Sequence, residues 1–209
     1  NSHVNGENCL WSIATAFGDN HIDLATKMAM NEGLSDEEIL VLKQIGLVVN
    51  YNSYGQTVED LFYTPEEIAQ AAKACGPDVF KFLEQEDIFS TLLKNFNADM
   101  KSAACQEPFA IMENGVIYTL PNEAWTHRIM GSFSNNLVST NKDLACAIAV
   151  LNSDGTYRIS VRSSINNPHG AGNLCGKFGG GGREKAGGIN NLPDSEMVNF
   201  KAEFEKVFS

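Results

Sequence analysis

Four arginines and a dense run of glycines are the residues of this chain with the clearest capacity for chemistry. Arg128, Arg158, Arg162 and Arg183 all lie in the second half, and between Thr156 and Lys185 five basic residues meet a single acid, Glu184. Arginine carries a fixed fork of donors matched to phosphate and carboxylate oxygens, so an anion site is to be sought in this window. Seven of the eighteen glycines fall between Gly176 and Gly188. Glycine takes positive φ angles and lets a ligand approach the backbone, so successive amides of such a run can converge on one anion as a nest. With Lys177, Arg183 and Lys185 beside it, that nest suits phosphate. A flexible linker is the alternative reading of any glycine-rich run. It ranks second, because this run stands between an apolar strand and a capped helix instead of in polar sequence.

Two well-known phosphate motifs fail here. A Walker A loop needs glycine five residues before the Gly176-Lys177 pair and Ser or Thr after it, where this chain has Ala171 and Phe178. Gly170-Ala171-Gly172 opens like a dinucleotide fingerprint, but Cys175 takes the third glycine's place and no βαβ unit of about 30 residues surrounds it. The histidines His3, His21, His127 and His169 are isolated, with no two at ligand spacing, and read as surface or core residues. Arg128 reads as the partner of an acid in a salt bridge.

The elements that must position these residues change in kind along the chain. Ser35-Asp36-Glu37-Glu38 and Thr64-Pro65-Glu66-Glu67 are capping boxes, the second with proline at the first helical position. From Asp78 to about Cys105, apolar residues recur at three and four spacing, as in amphipathic helices whose aromatics form core. Beyond Glu107-Pro108, the runs Phe109–Met112 and Val116–Leu120 flank Glu113-Asn114-Gly115, where an Asn-Gly turn predicts a hairpin. A helix follows around Trp125–Leu137. Cys146–Leu151 and Tyr157–Val161 flank a second hairpin turn at Asn152–Thr156, and a closing helix starts at Asp194 or Ser195. The predicted class is α+β: a helical part over 1–106, then a mixed β-sheet domain packed with helices over 107–209.

Composition places the chain among globular proteins. With 43% hydrophobic and 20% charged residues, its 209 residues can bury roughly 70% of their extended surface. No stretch approaches the roughly 20 apolar residues of a membrane span, and Asn1–Asn8 lacks the cationic and apolar regions of a secretory signal, so the cytoplasm is the expected compartment. Five scattered cysteines, none in a C-x-x-C pair, point to buried free thiols. The net charge of −11 argues against a polyanionic partner, but it is unevenly spread. Residues 1–113 hold 18 acids against six lysines, whereas residues 114–209 hold eight acids against nine bases.

Taken together, the strand Tyr157–Val161 ending in Arg162-Ser163-Ser164, the segment Asn173-Leu174-Cys175 and the run Phe178–Gly188 resemble the DHH-associated domain of the DHH phosphoesterase superfamily. In that family a strand ends in an Arg-Ser pair, a short helix follows, and a Gly-Gly-Gly-His loop precedes a small-residue helix start. Aligned on Ala186-Gly187, Gly180, Gly181 and Gly182 match the three glycines, and Arg183 replaces the histidine. Arginine donates to phosphate but shuttles no protons at neutral pH. Ala14-Thr15-Ala16-Phe17-Gly18-Asp19-Asn20 is similar to a motif of the DHH catalytic domain in which the aspartate holds a divalent metal, which makes Asp19 a candidate ligand; a turn and cap is the alternative.

The resemblance implies a metal-dependent phosphoesterase with manganese as cofactor, in which Arg162 binds phosphate, Ser163 or Ser164 adds a hydroxyl donor, and the Gly180–Gly182 amides complete the cradle. Arg183 would contact phosphate or base. The implied partner is a nucleotide or a short single-stranded nucleic acid. The Asp-His-His triplet that builds the metal pair does not occur in these residues, so the expectation is a C-terminal portion that needs an N-terminal DHH part of the same polypeptide and is inactive alone. Two other classes remain: a nucleotide- or nucleic-acid-binding module without chemistry, and, last, a transferase holding a cofactor pyrophosphate on the glycines.

Overall fold

Helix starts follow the side chains that the sequence provides. In the computed structural model, which describes residues 9–208, Ser35 accepts from the Glu38 amide at 3.3 Å while the Glu38 carboxylate accepts from the Ser35 amide at 2.8 Å. Thr64 and Glu67 repeat the arrangement ahead of Pro65. Each box satisfies amide donors that a first helical turn leaves without partners. The two helices so started are α3 (Asp36–Tyr51) and α4 (Pro65–Cys75). Before them come α1 (Cys9–Gly18) and α2 (Ile22–Asn31). After them, the apolar stretch from Asp78 onward divides at Gln85 into a 3₁₀ segment, Val79–Glu84, and α5 (Glu86–Ala104).

The chain divides into two units by contact, up to Ala98 and from Asp99, with the division inside α5. The first unit buries Ile13, Phe17, Leu42, Ile45 and Phe82 in one helical core. There α1 and α3 cross at close range. A Cβ on Gly46 would run into the Ala14 carbonyl oxygen, so only glycine permits the approach.

The second unit is a six-stranded mixed sheet with helices packed on it, which makes the chain α+β. Its strands are β1 (Ala110–Met112), β2 (Gly115–Leu120), β3 (Ala145–Leu151), β4 (Thr156–Arg162), β5 (Gly181–Arg183) and β6 (Ala186–Pro193), in the order β1-β2-β3-β4-β6-β5. Only β2 and β3 are parallel, and α6 (Ala124–Thr140) forms the crossover between them. On the other face, α7 (Ala171–Gly176) and α8 (Met197–Phe208) cover the sheet. Phe200 and Phe204 of α8 are fully buried against Ile117, Ala147 and Val161.

Two local expectations need correction. The first hairpin forms, but its turn is Glu113-Asn114, and Gly115 already pairs with Met112 at the start of β2. Neither Asn114 nor Gly115 has positive φ. Gly115 is needed for packing instead, since a Cβ there would lie 2.6 Å from the Phe204 ring. Second, the residues from Ala186 form strand β6, not a helix start. Ile189 and Leu192 turn into the core from a ladder between β4 and β5, and two glycines at the start of the segment disfavour a helix.

Candidate anion-binding site

Directly paired residues send their side chains to the same face of a sheet. Ser160 pairs with Gly188 and Arg162 with Ala186 between β4 and β6; Gly188 pairs with Gly181 and Ala186 with Arg183 between β6 and β5. The register therefore lays two rows across three strands: Arg162, Ala186, Arg183 in one, and Ser160, Gly188, Gly181 in the next. With strands about 4.8 Å apart, the arginine backbones stand roughly 10 Å from each other. The alternate residues face α7, where a Cβ on Gly187 would lie 2.7 Å from Cys175 Sγ.

The rows occupy the face on which α6 packs against β3 and β4. A Cβ on Gly181 would meet nothing within 4 Å, and one on Gly188 only the Ile159 carbonyl at 3.4 Å. Ala186 lies between Arg162 and Arg183 in their row, and the Gly188-Gly181 strip beside that row is thus a backbone floor with open space above it. That is a surface on which a phosphate or a planar ring can lie close to the main chain.

Arg162 is half-buried and held from three sides. Its Nε donates to Asn135 Oδ1 at 2.9 Å, and its Nη1 donates to Ser160 Oγ at 3.0 Å and to the Val161 carbonyl at 3.1 Å. All three acceptors are neutral. Cys146, opposite Arg162 in β3, is neutral too, since burial pushes its thiol up to about 12 despite the nearby guanidinium. Arg183 is exposed at the end of β5.

The remaining candidates have mostly structural partners. Ser163 Oγ lies 2.8 Å from the His169 carbonyl and 2.9 Å from that of Glu184, so its one proton ties the 164–170 loop to the hairpin turn. Ser164 Oγ accepts from the Asn167 amide at 3.0 Å. The Gly180 amide donates to the Cys175 carbonyl at 2.9 Å, while Gly181 and Gly182 lie in the β5 ladder. The glycine run is a hairpin, not a linker. Lys177 is drawn away to Glu203 at 2.6 Å; with Lys206 it holds that carboxyl down to about 2. Arg128 sits in the salt bridge expected for it, with Nη2 2.9 Å from Asp99 Oδ2 and both side chains nearly buried.

In the first unit, Asp19 follows the last residue of α1, and Asn50 Nδ2 donates to its Oδ1 at 3.2 Å. Asn20 takes the left-handed conformation that closes the helix, with φ 61°. Asp19 borders an open cleft of about 480 Å³ with Trp11, Thr15 and His21. Among the described residues, no group of three or more His, Cys, Asp or Glu could hold a metal ion. Of the histidines, His127 is buried, His21 and His169 are exposed, and His3 lies outside the described residues. All five cysteines are free, and Cys75, Cys146 and Cys175 are buried. No described helix is long and apolar enough to cross a membrane.

No family model and no curated protein matches the sequence. Solved structures match by shape. The fold is similar to that of a pGpG-specific phosphodiesterase. That protein, PggH from Vibrio cholerae, superposes with a TM-score of 0.52 at 10% identity, over 88% of this chain and 72% of its own. A looser likeness, with a TM-score of 0.44 at 16% identity, is to an exopolyphosphatase-related protein from Bacteroides fragilis, over 90% of this chain and 55% of that one; it is too loose to carry an argument. At 10% identity, the first likeness shows the fold.

Sequence reasoning singled out Arg162, Arg183 and the glycines as candidates but not Asn135 and Ser160, which hold the Arg162 guanidinium. Ser160 was open to detection, because i and i+2 of one strand share a face. Asn135 carried no such signal, since its meeting with β4 depends on how α6 packs.

Proposed function

We propose that the sheet unit binds the phosphate of a nucleotide or short single-stranded nucleic acid and is the substrate-binding part of a DHH-type phosphoesterase. The observation that carries this reading is the register placing Arg162 and Arg183 at the two ends of one row, beside the Gly188-Gly181 floor of the next. Two guanidiniums on one face beside a side-chain-free strip suit a ligand with anionic oxygens and a flat base. Arg162 supplies the charge-assisted contact, and Arg183 reaches a second phosphate or the base. The hydroxyls of Ser163 and Ser164 would join only if the 164–170 loop gave up its own hydrogen bonds. The fold likeness to a phosphodiesterase that acts on pGpG supports a linear dinucleotide as the first ligand to try.

Manganese is the cofactor of this reading, and Asp19 its one candidate ligand in the described chain. A carboxylate at a helix C-terminus is disfavoured by about 0.3–1 kcal/mol through the helix dipole, and the same field favours a cation there. One carboxylate does not make a manganese site, and the described residues offer no larger cluster. The described residues therefore do not fit the metal by themselves. The same observation favours a second reading, recognition of the same ligands without hydrolysis.

Titration with a mononucleotide, pGpG and a short oligonucleotide tests the reading. Binding that Arg162→Ala weakens at least tenfold is expected; no binding, or binding unchanged by the substitution, would refute it. Incubating these 209 residues with pGpG and manganese is expected to give no hydrolysis, and substantial turnover would contradict the assignment of Asp19 as a lone ligand.

A further inference from the structure

We infer that Asn135 and Ser160 are positioning residues that fix the Arg162 guanidinium for its ligand. This rests on the reading that Arg162 contacts phosphate. A free arginine samples many rotamers, and a guanidinium held at two of its nitrogens has already lost that freedom before an anion arrives. Asn135 on α6 holds Nε at 2.9 Å, and Ser160, two residues back on β4, holds Nη1 at 3.0 Å.

Proton accounting gives the network one polarity. Ser134 Oγ lies 2.7 Å from the Met130 carbonyl and 3.3 Å from Ser160 Oγ. A hydroxyl has one proton, so Ser134 donates to Met130 at the shorter distance. The Ser160 proton then goes to Ser134 Oγ, and the lone pairs of Ser160 face Arg162. Ser134 is fully buried and Ser160 nearly so, so water does not compete readily for either. The chain Arg162–Ser160–Ser134–Met130 thus runs donor to acceptor into the α6 backbone. Asn135 is the next residue on that helix, so α6 aligns the arginine at both nitrogens.

The inference is tested by titrating a linear dinucleotide with a 5′-phosphate against Asn135→Ala, Ser160→Ala, Arg162→Ala and the Asn135→Ala/Arg162→Ala pair. The Arg162 Nε–H resonance, assigned by its loss in Arg162→Ala, is followed alongside. Asn135→Ala and Ser160→Ala are each expected to weaken binding about tenfold, and Asn135→Ala to weaken nothing further once Arg162 is gone. In Asn135→Ala the Nε–H resonance should shift or broaden while the backbone amide spectrum stays dispersed. Wild-type affinity in both single variants, with binding lost in Arg162→Ala, would overturn the inference and leave the phosphate reading standing. An equal loss from Asn135→Ala with and without Arg162 would also overturn it. Wild-type affinity in Arg162→Ala would instead overturn the phosphate reading. Should Asn135→Ala fail to fold, Ser160→Ala decides alone.

Discussion

Gly181 and Gly182 are neighbours in the sequence and have opposite reasons for being glycine. A Cβ on Gly182 would collide with the Ala186 carbonyl, at a φ of 152° that side chains rarely adopt, whereas a Cβ on Gly181 would enter open space. Gly182→Ala is therefore expected to cost about 1–3 kcal/mol of stability, as overpacking does. Gly181→Val should leave the thermal midpoint unchanged, since valine suits a strand, and weaken nucleotide binding by covering the floor. Unfolding and titration of both variants check this; equal stability loss in the two would refute the distinction. Composition located the glycine run but not this division of labour, because only the pairing register says which Cα faces α7 and which faces outward. Glu203 is a second residue-scale case. Lys177 and Lys206 depress its carboxyl from the ordinary 4.5 to about 2, so its contribution is complete above pH 4.5 and is lost as pH falls toward 2. Glu203→Gln should flatten the fall in melting temperature across that window; an unaltered profile would count against the pairing.

Elements with strong local signals formed where the sequence placed them. Both capping boxes close on their own side chains, and the helices expected near Trp125 and after Asp194 are α6 and α8. Elements that depend on distant partners were harder to read. The Asn114-Gly115 pair looked like a turn, yet glycine is there to admit the Phe204 ring from α8. Ala186–Pro193 is a strand because β4 and β5 flank it. The ion pair Asp99–Arg128 joins the end of α5 to α6 within the sheet unit. Both side chains are nearly buried, so removing one strands the other's charge. Arg128→Ala is expected to destabilise the unit by about 3–5 kcal/mol, measurable by chemical denaturation. A loss below about 1 kcal/mol would show that water reaches the pair.

Over the whole molecule, the net charge of −11 conceals a helical half that carries the acids and a sheet half that is nearly neutral. Anion binding by so acidic a chain has to be local, resting on the few cations that the β4-β6-β5 register brings to one face. The sequence showed where those cations cluster along the chain. It did not show that Lys177 is taken up by Glu203, or that Arg162 and Arg183 share a face, because both facts arise from tertiary pairing. The most direct test of this account is the salt dependence of affinity for a short single-stranded oligonucleotide, with wild type and Arg162→Ala compared. On a single strand, each phosphate contact removed should lower the slope of log affinity against log salt by about 0.7. The account predicts weaker binding and a slope shallower by about that amount in Arg162→Ala. Equal affinity and equal slope in the two proteins would contradict it.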